Sequence, residues 1–196
     1  MKTKIILAVA VFFVANSYAQ ITKGNWLVGG NASFSHTDNN STSSSLFNNT
    51  TISFSPNLCY FILDKFCTGI KISSLQIKND YPSNSGSGSI SYSTKSRFYS
   101  IGPLVRYYFL EKDNRVNLLI EGAYQYQLRK DISPSSNSKM TANVFLINAG
   151  PVIYFNSSVG IEFTIGYASQ KYIGMTGNNN TIQTSIGLQI HLQKDN

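Results

Sequence analysis

The sequence predicts an all-β fold: an eight-stranded antiparallel up-and-down transmembrane β-barrel. Three observations predict it. Stretches of roughly 10–17 residues alternate apolar or aromatic side chains with small or polar ones, the period of a strand with two unlike faces. Short turns alternate with longer runs of Asn, Ser and Thr, so that the short connections fall at one end of the sheet and the long ones at the other. A hairpin motif also recurs, with Pro56, Pro103 and Pro151 each followed by alternation into an aromatic pair just before a short turn.

In order along the chain, Gly24–Ser35 sets Trp26, Val28, Ala32 and Phe34 against Leu27, Gly29, Asn31 and Ser33, and residues 36–50 form a polar loop. Thr51–Phe61 sets Ile52, Phe54, Leu58 and Tyr60 against Ser53, Ser55, Asn57 and Cys59. A turn around Ile62–Lys65 leads into Phe66–Ile77, where Ile70 and Ile72 oppose Cys67, Gly69, Lys71 and Ser73. Residues 78–94 are a polar loop with Ser-Asn-Ser-Gly-Ser-Gly at its centre. After the next hairpin, Leu128–Ser138 is a loop, Lys139–Phe155 a strand, Asn156–Ser158 a turn and Val159–Ala168 a strand. Gln170–Asn180 is the last loop and Thr181–Leu192 the last strand. A proline inside a closed sheet forfeits a ladder hydrogen bond, so a local break or bulge is expected at each repeat.

The hairpin Ser100–Gln127 carries the clearest register. Asp113 and Asn114 suit a two-residue turn because both tolerate positive φ. Lys112 then opposes Arg115 and, counting outward, Arg106 opposes Glu121 on the polar face, close enough for an ion pair. Ile101, Val105, Tyr107, Leu118 and Ile120 share the apolar face.

Periodicity alone does not say which face is outside, since a soluble lipocalin-like barrel also alternates. Volume does. Eight strands enclose an interior just wide enough for side chains. The Ser, Gly, Asn and Gln face fits there as a small polar core, whereas an exposed apolar band is avoided by soluble monomers and required by lipid. Aromatics support the assignment. Trp26, Tyr60, Phe66, Tyr107, Phe109 and Phe155 gather at the short-turn end, and Tyr92, Tyr99, Tyr124, Tyr126, Tyr167 and Tyr172 toward the other, as two interfacial girdles.

Residues 1–19 have the form of a secretory signal peptide: Lys2 and Lys4, an apolar run Ile5–Ala15, then Ser17-Tyr18-Ala19. Residues 20–196 are expected to form one barrel domain. Removing the leader lowers the formal net charge from +7 to +5, and the exported context argues against nucleic acid as the partner of this basic chain. Two cysteines are too few for a disulfide scaffold.

The leader, Gly-Asn-Trp-Leu-Val-Gly-Gly at 24–30 and the Gly-Pro strands at 102–109 and 150–155 resemble the OmpA/OmpX-like family of eight-stranded outer-membrane barrels, in its porin-family form (the outer membrane protein β-barrel domain). The resemblance spans Gln20 to Leu192. It implies location in the cell outer membrane, short periplasmic turns, long extracellular loops, and the barrel-insertion machinery as a partner. The chain departs from the family pattern at its end, where the last strand finishes Ile190-His191-Leu192 rather than on an aromatic residue.

Lys71, Arg106, Glu121 and Glu162 are the charges expected on the inward strand faces. Buried charges are costly unless paired, so they read as a luminal ion-pair network. Cys59 and Cys67 flank a turn on one face and are candidates for a disulfide if a three-residue turn sets them opposite; two free small residues are the alternative. Lys78, Lys95, Arg97, Arg129, Lys130, Lys139 and Lys171 gather at the long-loop end as candidate contacts to lipopolysaccharide phosphates, the alternative being ordinary solvated loop charge. His36 with Asp38 and Ser35 invites comparison with outer-membrane hydrolases, but lies in a polar loop. No metal, cofactor or catalytic motif is read, and no enzyme is expected. His191 is expected at the periplasmic end of the lumen. The expected function is a small integral outer-membrane barrel with a filled polar lumen, a monomer with a structural or surface-interaction role through its loops. The alternative is a narrow porin-like channel for small solutes, with a lipid-modifying enzyme and a soluble lipocalin-like binder ranked behind it.

Overall fold

The computed structural model describes residues 21–38, 48–81, 92–112, 114–134 and 136–193. Eight antiparallel strands close on themselves in sequence order: β1 (Trp26–Asp38), β2 (Asn48–Leu63), β3 (Phe66–Tyr81), β4 (Tyr92–Tyr108), β5 (Val116–Ile132), β6 (Asn137–Tyr154), β7 (Val159–Tyr172) and β8 (Asn179–Leu192). There is no helix among the described residues. The segment read as a leader lies outside them.

The two faces separate as the alternation requires. Arg106 and Glu121 are each 2% exposed, while Ile101 and Val105, on the same strand as Arg106, are 53% and 46% exposed. Leu118 and Ile120 point outward with them. The outer wall is thus a belt of Ile, Leu, Val, Phe and Tyr. Trp26 packs on Tyr60 with ring centroids 5.0 Å apart, and Tyr107 meets Phe109 edge-on at 5.2 Å, both at the short-turn end. Tyr172 and Tyr92 depart from the expected upper girdle: Tyr172 lies on the inward face of β7, where its hydroxyl accepts a hydrogen bond from Arg129, and Tyr92 alternates with the inward residues of β4 and stacks on Tyr81 at 4.8 Å.

The strands run further than the apolar alternation alone marks. β1 extends to Asp38, β2 begins at Asn48, β3 ends at Tyr81 and β5 ends at Ile132, so much of each expected loop is paired sheet. Ser, Thr and Asn complete a ladder as well as apolar residues do once a strand leaves the region where its outer face must be greasy. Consequently only residues 133–136 separate β5 from β6, and the Ser133 hydroxyl donates to Ser136 O at 2.7 Å. His36 stands on strand β1 rather than in a loop, with Nδ1 2.8 Å from Thr50 Oγ1.

At the other end the β4–β5 connection is longer than a two-residue turn. The strands stop at Tyr108 and Val116, and the Asn117 side chain holds the turn together. Its amide oxygen accepts from Leu110 N at 2.9 Å, and its NH2 donates to Leu110 O at 3.1 Å. Asp113 lies outside the described residues. The register is nevertheless the one expected, with Arg106 opposite Glu121.

Each repeated proline interrupts one ladder without shifting it. Pairing is absent at Ser55-Pro56 toward β3, at Gly102-Pro103 toward β5 and at Gly150-Pro151 toward β7, and resumes in the same register. These are breaks rather than bulges. The strand opposite crowds in at the break: a Cβ on Gly102 would lie 1.9 Å from Tyr124 O, so glycine alone fits there.

Candidate functional site: the luminal network and the outer rim

Inward side chains of β3 to β8 meet in a bonded cluster across the barrel interior. Glu121 is the hub. Lys71 Nζ donates to its Oε1 at 2.7 Å, Arg106 Nη2 to its Oε2 at 2.5 Å, and Asn148 Nδ2 to Oε1 at 3.1 Å. Arg106 turns its other arm to Glu162, Nη1 to Oε2 at 3.0 Å. Glu162 also accepts from Gln189 Nε2, and Gln189 Oε1 accepts from the Tyr108 hydroxyl at 2.8 Å. Two cations and two anions balance, and all four are buried. The register explains the convergence: Arg106 faces Glu121 directly, and an inward arginine on so narrow a ring can bridge to the far wall.

Below the network the interior is apolar rather than polar. Leu27, Phe61, Tyr108, Tyr154 and Val152 are buried there, with Ile21 folded beneath them. His191 is buried at this end, stacked on Phe61 at 5.8 Å and edge-on to Tyr154 at 5.5 Å. The inward face of the sequence contains these residues, but Leu27, Phe61 and Val152 sit at the short-turn end and Ser, Asn and Gln further up, so an average over the whole face reads as polar. Above the network lies a cavity of about 940 Å³, floored by Lys71 and Gln125 and lined by hydroxyl and amide side chains such as Ser33, Ser73 and Gln183 together with apolar ones such as Leu75, Phe98 and Val144.

Cys59 and Cys67 are both buried and free. They are not opposite one another: Cys59 pairs with Gly69 and Cys67 with Phe61, because the turn is Asp64-Lys65 and the register shifts between Phe61 and Leu63.

The seven basic residues of the outer end divide between two faces. Alternation places Lys78, Lys95, Arg97, Lys130, Lys139 and Lys171 on the outside. Several oppose each other across neighbouring strands: Lys78 with Lys95, Arg97 with Lys130, Lys130 with Lys139. Of these, Lys78 has a carboxylate neighbour, Asp80 at 2.6 Å. Arg129 instead turns into the mouth of the barrel, bonded to Asp131 at 2.8 Å and to the Tyr172 hydroxyl at 3.0 Å, with its guanidinium 5.2 Å from the Phe98 ring centre. Arg129 and Asp131 are therefore inward charges additional to the four expected. Counting the alternation two further pairs beyond Gln127 would have found them.

Among the described residues no group of His, Cys, Asp and Glu could hold a metal ion. His36 has Thr50 beside it, with Nδ1 2.8 Å from Oγ1.

Neisserial surface protein A (NspA) shares this architecture, with a TM-score of 0.53 and 14% identity over 86% of this chain and 97% of that one. The fold is that of the eight-stranded outer-membrane barrels. Two further solved structures from Pseudomonas aeruginosa are similar at lower scores. The N-terminal β-barrel domain of OprF gives a TM-score of 0.46 and 10% identity over 87% of this chain and 98% of that one. The outer membrane protein OprG gives 0.47 and 10% over 91% and 99%. No protein-family model and no curated protein matches the sequence.

Proposed function

We propose that this chain is a small integral outer-membrane barrel, exported by its leader and inserted by the barrel-insertion machinery. It acts as a monomer in a structural or surface-interaction role at its outer end, and is not an enzyme. The observation that carries this reading is the bonded Lys71–Glu121–Arg106–Glu162 cluster inside a wall whose outer face is apolar. An exposed band of that kind suits hydrocarbon, and a closed barrel leaves few backbone groups for lipid to meet.

The outer rim supports a lipid contact. Like charges directly opposed on neighbouring strands repel, and an anion between them removes the penalty. Phosphates of a lipopolysaccharide-rich leaflet at the height of Lys95, Arg97, Lys130 and Lys139 would serve.

The second reading, a narrow channel, draws on the cavity of about 940 Å³ above the network. The ion pairs and the Phe61–Tyr154–His191 packing beneath it argue for a sealed floor. Cell fractionation with single-channel recording separates the readings. The expected result is recovery in the outer membrane and no steady conductance in planar bilayers. Steady open-channel current would favour the channel. A mature protein that stays soluble without detergent would overturn both.

A further inference from the structure

The seam between β1 and β8 is unlike the other seven. Trp26–Asn31 pair with Leu192–Gly187, and there the ladder stops: among the described residues no strand pairing joins Ala32–Asp38 to Asn179–Ile186. Both stretches remain strands, β1 held by β2 as far as Asp38 opposite Asn48, and β8 held by β7 as far as Asn179 opposite Gln170. The split starts at glycines. Gly30 has φ of 148°, a conformation side-chain-bearing residues rarely adopt, and Gly187 is the last partnered residue of β8 on this side. Strand glycines of this kind mark bends.

Side chains along the two freed edges agree. Phe34 at 69% and Ile182 at 76% are the most exposed large apolar residues described. Ser33, Ser35, Thr181 and Gln183, on the inward face, are exposed too, whereas inward residues at the same height on β3 to β5 are half-buried. The cavity above the ion-pair network reaches this slot at Ser33, Gln183 and Ser185.

We infer that the slot is a lateral port for a single-chain amphiphile with an uncharged, hydroxyl- or amide-bearing head, which seats in the cavity while the tail stays in the bilayer. The inference rests on the outer-membrane reading. Unpaired backbone N–H and C=O groups facing hydrocarbon would be costly, so these edges call for water or a polar head beside them. Residues 31–37 and 179–186 contain no Lys, Arg, Asp or Glu, Asp38 standing at the outermost end of the freed edge, and the Lys71 amine on the cavity floor is already held by Glu121, so nothing along the slot itself would neutralise a charged head. Phe34, Ile182 and Ile186 flank the slot on the outside, where a hydrocarbon tail would lie. The cavity volume is within the range of small-molecule sites, on the order of 300–1,000 Å³.

The test uses the mature chain in phosphatidylcholine nanodiscs, followed by amide NMR during titration with 1-monolauroylglycerol. Saturable shifts are expected at Ser33, Gln183, Ser185 and Ser73, with none at Leu118 or Ile120 on the far wall. 1-Lauroylglycerol-3-phosphate, with the same tail and a net negative head, should bind at least tenfold more weakly. Shifts spread evenly over the outer face, no saturable shifts, or equal affinity for the two amphiphiles would overturn the inference. A second variant tests the slot itself. Ser33→Cys with Ser185→Cys, in a Cys59→Ala, Cys67→Ala background, should stay reduced in the folded protein; spontaneous bridging would mean a closed seam and would also overturn it. A chain that does not embed in the discs at all refutes the outer-membrane reading instead.

Discussion

Glu121 shows how one residue ties the interior together. It accepts from Lys71, Arg106 and Asn148, and among the described residues no other carboxylate is paired with Lys71. Removing one partner of a buried ion pair leaves an uncompensated charge, which typically costs about 3–5 kcal/mol. Glu121→Gln is therefore expected to lower the unfolding free energy of the reconstituted barrel, read from urea titration, by an amount in that range. Adding Lys71→Met should recover part of the loss, because the stranded cation is then gone. Glu162→Gln should cost less, about 1.5–3 kcal/mol for the charged hydrogen bond from Arg106, since Arg106 keeps Glu121 and the new amide oxygen can still accept from Gln189. Equal losses for the two single variants would contradict the placement of Glu121 at the hub. The Arg106–Glu121 pair was legible in the sequence because a turn fixes a register and a register fixes a partner. The roles of Gln189 and Tyr108 were not, because their hydrogen bond bridges β4 and β8, which meet only across the closed ring; Asn148 stands directly opposite Glu121 on the next strand, but the β5–β6 register that sets it there was not read from the sequence.

At the scale of elements, the alternation located all eight strands but misjudged their ends. It marks a strand only where one face must be apolar, and β3 and β5 continue as ladder beyond that zone. The prolines were legible as ladder breaks, and their maintained register follows from the strands on either side being locked elsewhere. The β4–β5 turn was misread as two residues because Asp113-Asn114 has turn chemistry, while the residue that organises it, Asn117, lies inside the next strand by alternation. Asn117 closes the turn with hydrogen bonds to Leu110 N, Leu110 O and its own neighbour Leu118 N. Asn117→Ala should remove them at about 1–3 kcal/mol for the buried backbone groups left unpaired, visible as a lower urea midpoint and faster hydrogen exchange at Leu110. Unchanged exchange at Leu110 would show that the side chain is not what holds the turn. The incomplete β1–β8 seam was not legible at all, since Ala32–Phe34 and Ile182–Ile186 alternate as well as any paired strand.

For the whole molecule, two surfaces meet different surroundings: a greasy wall and, above it, an arc of outward cations on β3 to β7. The arc predicts salt-sensitive attraction to anionic headgroups, because exposed charges are screened within about 8 Å at physiological ionic strength. Lys95→Glu with Lys130→Glu should weaken binding of lipopolysaccharide by reconstituted barrel at least several-fold at low salt, with the difference shrinking as salt rises; titration with fluorescent lipopolysaccharide reads it. Indifference to both changes would assign these residues to solvent. The wall bears the heavier burden, since orientation of the two faces decides everything else. Nitroxide labels on single cysteines at Ile101, Val105, Leu118 and Ile120, compared with Leu104 and Ala123, measure it directly in bilayers. The first four are expected to collide freely with oxygen dissolved in lipid and to be shielded from a water-soluble nickel chelate, and the last two to be shielded from both. Oxygen-accessible labels at Leu104 and Ala123, with Ile101 and Val105 shielded, would contradict the account.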